Sequence, residues 1–200
     1  MAPSEPLNRR QALRTLAAGA VGAATAASWV ESLSALAQAH AHTQTTAVMA
    51  APNWKPRVLT LAQNQTVVTL TELIIPRTDT PGAKDANVNR FIDRVLQQAP
   101  RTNRAKFLKG LAWIDQRSTT LSGKTFAAAT PAEQTTLLTR LADPNNKAEE
   151  DRPGVEFFQA IKSMTIAGYY TTEIGLRKEL GDDGRLATEQ FEGCTHPEHK

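Results

Sequence analysis

Val88-Asn89-Arg90-Phe91-Ile92-Asp93-Arg94-Val95-Leu96 is the stretch that decides the fold. Its apolar residues Val88, Phe91, Ile92, Val95 and Leu96 fall at i, i+3, i+4, i+7 and i+8, the spacing of a one-faced helix. Pro100 ends it, and Thr78-Asp79-Thr80-Pro81-Gly82 before it is dense turn chemistry, with proline setting φ and glycine admitting positive φ. Upstream, apolar residues at 59, 67, 70, 73 and 74 predict a second helix over residues 59–75, stopped by Pro76.

Downstream the same period continues. Phe107, Leu108, Leu111, Ile114 and Leu121 form a stripe over residues 103–121. Thr130-Pro131-Ala132-Glu133 is a capping box with proline at the first helical position, and it opens a helix carrying Leu137, Leu138 and Leu141 that Asp143-Pro144 closes. Residues 145–154 read as a polar loop whose acidic run Glu149-Glu150-Asp151 is a solvated surface. After Pro153-Gly154 comes the most apolar helix, residues 155–171. Its Phe157, Phe158, Ile161, Met164, Ile166, Gly168 and Tyr169 cover a wider arc than a surface helix needs, so it is either the bundle centre or half-covered by a partner.

Few segments alternate with period two. The expected fold class is therefore all-α, a small bundle of about five helices over residues 57–180, after an N-terminal export-signal helix. Such a domain buries roughly two thirds of its unfolded surface and can fold alone. Residues 40–56, with Pro52 and Pro56 and no periodicity, read as a linker or extended arm, and residues 181–200 as a polar tail.

The N-terminus has its own layout. Asn8-Arg9-Arg10-Gln11-Ala12-Leu13-Arg14 matches a twin-arginine pattern, with paired arginines, two spacers, Leu13 and then a basic residue. An uncharged Ala/Gly-rich run follows from Thr15 to Val30, too short and too weakly apolar for a transmembrane helix. Small residues spaced A-x-A come next, at Ala37-Gln38-Ala39 or Ala39-His40-Ala41. Basic region, uncharged run and small-residue exit make residues 1–39 a removable export signal, with retention as an uncleaved anchor as the other course. The expected location is the periplasm.

Composition excludes several functions. The chain is 40% hydrophobic and 22% charged, ordinary for a soluble globular protein, and its net charge of +3 is spread without the aromatic-interleaved basic stripe of a nucleic-acid binder. The four histidines stand at 40, 42, 196 and 199 and the single cysteine at 194, so the helical domain holds none. It thereby lacks the commonest general base, the commonest metal ligand and the thiol nucleophile. Asp79 and Asp85 suit turn or cap positions, and Asp93 and Asp115 lie beside polar helix faces. No catalytic, cofactor-binding or metal residue is expected in this chain. Cys194-x-His196-x-x-His199 has ligand types but sits at a chain end, without the supporting groups a metal site requires.

Three features point to a partner instead. Trp113 lies off its stripe near Lys106 and Arg117, as an interface anchor would, although burial by a neighbouring helix explains it as well. Tyr169 and Tyr170 point about 100° apart on one helix, so at least one is expected to reach a partner. Cys194 has no internal cysteine to pair with and is a candidate for an intersubunit disulfide.

The run Leu73-Ile74-Ile75-Pro76-Arg77-Thr78-Asp79-Thr80-Pro81-Gly82-Ala83, followed by Asp85, Val88 and Phe91-Ile92-Asp93, resembles the gluconate 2-dehydrogenase subunit 3 family. Phe157-Phe158 and Gly168-Tyr169-Tyr170-Thr171-Thr172 are similar to it too, and the likeness covers about residues 54–194. The resemblance implies a small subunit that accompanies an FAD-dependent dehydrogenase of the glucose–methanol–choline type, acting on a sugar or sugar acid. A cytochrome c subunit often completes such a complex at the membrane. It implies an escort and structural role, with FAD held by the partner and no catalytic residue carried over. The alternative is a stand-alone periplasmic helical binding protein that uses its own pocket.

Overall fold

Thr60 and Thr130 each open a helix with a reciprocal cap. The Thr60 hydroxyl accepts from Gln63 N–H while the Gln63 side chain accepts from Thr60 N–H, and Thr130 and Glu133 repeat the arrangement with Pro131 in the first turn. A computed structural model describes residues 54–183 of the chain. Among these residues there is no strand, and the α-helices are α1 (Leu61–Ile74), α2 (Val88–Gln98), α3 (Arg101–Ser122), α4 (Pro131–Ala142) and α5 (Arg152–Tyr170). Single 3-10 turns at Phe126–Ala128 and Glu149–Asp151 precede α4 and α5, and a π-helical turn at Ile174–Glu179 follows α5. This is the all-α bundle of about five helices that the periodicity predicts. The export signal at 1–39, most of the arm at 40–56 and most of the tail at 181–200 lie outside the described residues.

α5 is the centre of the bundle and packs on α1, α2, α3 and α4. Its wide apolar arc is used from several sides at once. Phe157 meets Phe107 of α3 edge to face at 5.1 Å, and a side chain at Gly168 would collide with Phe91 of α2. Phe158, Ile161, Met164 and Tyr169 are buried as well, and only Ile166 of the arc faces water, at 39% exposure. The close approach that Gly168 permits is therefore made by α2 of the same chain. On α2, the five residues that decide the fold are all buried. No helix among the described residues is long and apolar enough to cross a membrane.

Three sequence-based expectations need correction. The acidic run is not simply a solvated surface: Glu149 and Glu150 face water, but Asp151 is fully buried. α5 also begins at Arg152 rather than 155, because Pro153 fits a first helical turn, where no intrahelical donor is needed. Nor does Asp93 merely lie beside a polar helix face. It is 2% exposed and accepts the backbone N–H groups of Arg57 at 2.8 Å and of Val58 and Leu59 at 3.0 Å each. One carboxylate thus ties the segment entering α1 onto α2. Trp54 lies just upstream, with the Arg90 guanidinium 5.4 Å from its ring centroid.

Candidate functional site

The turn between α1 and α2 is held from three sides. Glu72, near the end of α1, accepts Arg77 N–H at 3.1 Å and Lys84 N–H at 2.8 Å, so one carboxylate spans the turn. Arg77 in turn grips Asp85, its Nη2 2.6 Å from Oδ2. From α5, the Tyr169 hydroxyl donates to the Pro81 carbonyl at 2.7 Å, and Thr80 bonds Glu179 of the π-helical turn. Burial, with Glu179 nearby, pushes the Tyr169 phenol above its ordinary value, so the ring stays a neutral donor. Arg77, Thr78 and Asp79 stand exposed on this fixed turn.

A second cluster joins α3, α4 and α5. The buried Asp151 receives Arg117 Nη2 at 3.1 Å, Asn146 Nδ2 at 3.1 Å and the Nε of Arg140. Glu150 takes the same two arginines, at 2.8 and 3.0 Å. Burial alone would raise the Asp151 carboxyl, but hydrogen bonds from Arg140 and Asn146 and the charges of Arg140 and Arg117 hold it below its ordinary value. Both Asp151 oxygens are engaged from α3, α4 and the loop before α5, so the cluster is a structural joint.

The third feature is a groove of about 340 Å³ between α3 and α5, floored by Phe107, Gly110, Trp113, Pro153, Phe157 and Ala160. Lys106, Lys109 and Glu156 stand on its rim, with Lys106 Nζ 3.1 Å from Glu156. Glycines make the close packing here. A Cβ at Gly110 would run into Phe157, and one at Gly154 into the six-membered ring of Trp113. A shallower hollow of about 260 Å³ lies on another face, between Leu73, Ile74, Leu138, Phe158 and Lys162.

Of the residues singled out from the sequence, Trp113 is half-buried at the α3–α5 groove and packs against the core. Tyr169 is 1% exposed, whereas Tyr170 is half-buried, and their rings meet edge to face at 5.2 Å. The structure brings Tyr169 to the Pro81 turn, with Tyr170 against its ring, and places Trp113 elsewhere, on the groove. Arg9, Arg10, Leu13 and Cys194 lie outside the described residues. Among those described, no group of three His, Cys, Asp or Glu is placed to hold a metal ion. The residues that periodicity missed are the two carboxylates Asp93 and Asp151. For Asp151 a signal was present, an acidic residue directly before the Arg152-Pro153 helix start; for Asp93 there was none, because its partners are backbone groups more than thirty residues away.

No curated protein and no solved structure matches the chain. The family described as gluconate 2-dehydrogenase subunit 3 matches over residues 62–182, more than half of the 200-residue chain, from α1 through the π-helical turn. The chain belongs to the gluconate 2-dehydrogenase subunit 3 family, whose description is that of a subunit of a dehydrogenase complex.

Proposed function

We propose that this chain is the non-catalytic small subunit of a periplasmic FAD-dependent dehydrogenase of the glucose–methanol–choline type, acting on a sugar or sugar acid. It escorts the catalytic subunit through the twin-arginine export route and stabilises it. FAD belongs to the partner, and a cytochrome c subunit anchors the assembly at the membrane. One pairing of observations carries this reading. An export signal of the kind that moves folded proteins, Arg9-Arg10 with Leu13, heads a helical domain of the subunit 3 family that has no histidine or cysteine between His42 and Cys194. A domain without its own cofactor chemistry has little use for that route unless it carries a folded, cofactor-bearing partner. Family membership supports the dehydrogenase as that partner.

The test is replacement of Arg9 and Arg10 together by lysine in a host expressing both subunits. This chain and the flavin-bearing subunit are then expected in the cytoplasm together, read by fractionation and dehydrogenase activity. Normal periplasmic activity in the variant refutes both the signal and the escort. The purified chain alone is expected to show no flavin or haem absorbance and no turnover. The α3–α5 groove is the observation that favours the second reading, a stand-alone periplasmic binding protein. A small ligand retained by the purified single chain would establish that reading instead.

A further inference from the structure

The groove between α3 and α5 combines an apolar floor, a half-buried tryptophan and a lysine-bearing rim. Its floor is aromatic and aliphatic, and its volume of about 340 Å³ suits one or two side chains rather than a dinucleotide cofactor. Trp113 lies along it half-buried, with its six-membered ring against Gly154, and its indole N–H donates to none of the described residues. Tryptophan is among the side chains enriched at the energetic centres of interfaces.

The charge is one-sided. α3 carries Arg101, Arg104, Lys106, Lys109 and Arg117 against the single acid Asp115, a net of +4 on a helix of a chain whose whole net charge is +3. Lys106, Lys109, Trp113 and Arg117 follow one another at helical spacing, which puts them on one side of α3. Within the fold Arg117 is neutralised by Glu150 and Asp151, and Lys106 by Glu156. Lys109, exposed on the groove rim, has no acidic partner among the described residues. An occupant that complements the groove therefore supplies an apolar side chain for the floor, an acceptor for the indole and a carboxylate for Lys109.

We propose that the α3–α5 groove is the docking cleft for a segment of the flavin-bearing dehydrogenase subunit that presents an aromatic or branched aliphatic side chain beside an aspartate or glutamate. The proposal rests on the function proposed above and adds to it the face and the chemistry of the contact. The Pro81 turn, on the α1–α2 side, is held by internal bonds, whereas the groove sets an indole donor and an unpaired lysine beside an apolar floor.

The experiment uses the full chain co-expressed with the dehydrogenase subunit. Zero-length carbodiimide coupling joins amines to carboxylates already in contact, and the Lys106–Glu156 pair provides an internal positive control. Peptide mass spectrometry is expected to show Lys109 linked to an aspartate or glutamate of the dehydrogenase. In parallel, Lys109→Glu reverses the rim charge and Ala160→Leu fills the floor. Each is expected to weaken the complex by at least about tenfold, with the thermal melt of the isolated chain unchanged. Wild-type affinity in both variants overturns the proposal. So does a Lys109 link to Glu189 or Glu192 of the same chain, to a second copy of this chain, or to nothing while the control link forms. If the wild-type chain binds no flavin-bearing subunit at all, the proposed function fails and takes the groove with it. If the complex forms and the groove variants keep it intact, the groove alone fails.

Discussion

Replacing Asp93 by alanine removes one side chain and releases three backbone amides. Arg57 N–H donates to Oδ2 at 2.8 Å, and Val58 and Leu59 N–H donate to Oδ1 at 3.0 Å, all to a residue 2% exposed. A hydrogen bond to a charged acceptor is worth roughly 1.5–3 kcal/mol. Three bonds on one carboxylate are not independent, so the expected loss is about 4 kcal/mol rather than their full sum. Asparagine is the finer probe. It keeps a carbonyl oxygen for Val58 and Leu59 but turns an amide NH2 toward the Arg57 N–H, donor against donor, at a cost of about 2 kcal/mol. For a domain of this size that lowers Tm by about 15 °C for alanine and about 8 °C for asparagine. Circular dichroism melts of the purified chain measure the shift. Hydrogen exchange locates it, because the amides of Arg57, Val58 and Leu59 are expected to lose protection before those of α5. An alanine variant that melts within about 2 °C of wild type, with the three amides still protected, refutes the role of Asp93 as the anchor of the entering segment.

Other perturbations separate the remaining contacts. Asp151 is held below its ordinary carboxyl value of 3.8, so the stability it contributes is fully present above that pH and is lost as pH falls through the lower folded value. Asp151→Asn is expected to cost about 2 kcal/mol at neutral pH by leaving Arg117 and Arg140 with Glu150 as their remaining anion, and to flatten the acid limb of a stability-versus-pH curve; an unchanged acid limb assigns that limb to other carboxylates. Tyr169→Phe removes the donor to the Pro81 carbonyl and is expected to lower stability by about 1 kcal/mol, seen as a small shift in a denaturant midpoint, while Tyr170→Ala perturbs the fold less than Tyr169→Ala; the reverse order would misplace the buried ring. If Cys194 joins the dehydrogenase, a higher-mass band on a non-reducing gel of the native complex is expected to vanish in Cys194→Ser, and a wild-type complex without such a band leaves Cys194 a free thiol.

The helices were legible because their cause is local. Apolar residues at helical spacing, a capping box at Thr130 and prolines at 76, 100 and 144 need no knowledge of the rest of the chain. The centrality of α5 was legible in part, as an arc too wide for a surface helix, although the same arc suited a partner's cover. What the pattern could not carry was anything set by distant backbone. Asp93 looks like any polar helix residue until the segment at 57–59 folds back on it, and Asp151 looks solvated until Arg117 and Arg140 arrive from two other helices. The tyrosines follow the same rule: their 100° separation was readable, but which of the two is buried depends on where the Pro81 turn comes to rest. The groove was hidden for a related reason, since its shape depends on Gly110 and Gly154 lying opposite Phe157 and Trp113.

The position of α5 in the chain has a consequence for synthesis. Among the described residues it touches every other α-helix and is the last of them to be made. A chain that ends before Arg152 keeps four helices but lacks Phe157, Ile161, Met164 and Tyr169, and so leaves the apolar faces of α1–α4 in water. Residues 1–39 leave the ribosome long before the helix that closes the core. If residues 1–39 are the export signal proposed above, any receptor that reads them during translation meets an unfinished bundle. A check for foldedness made before export is then in effect a check that synthesis has passed Tyr170.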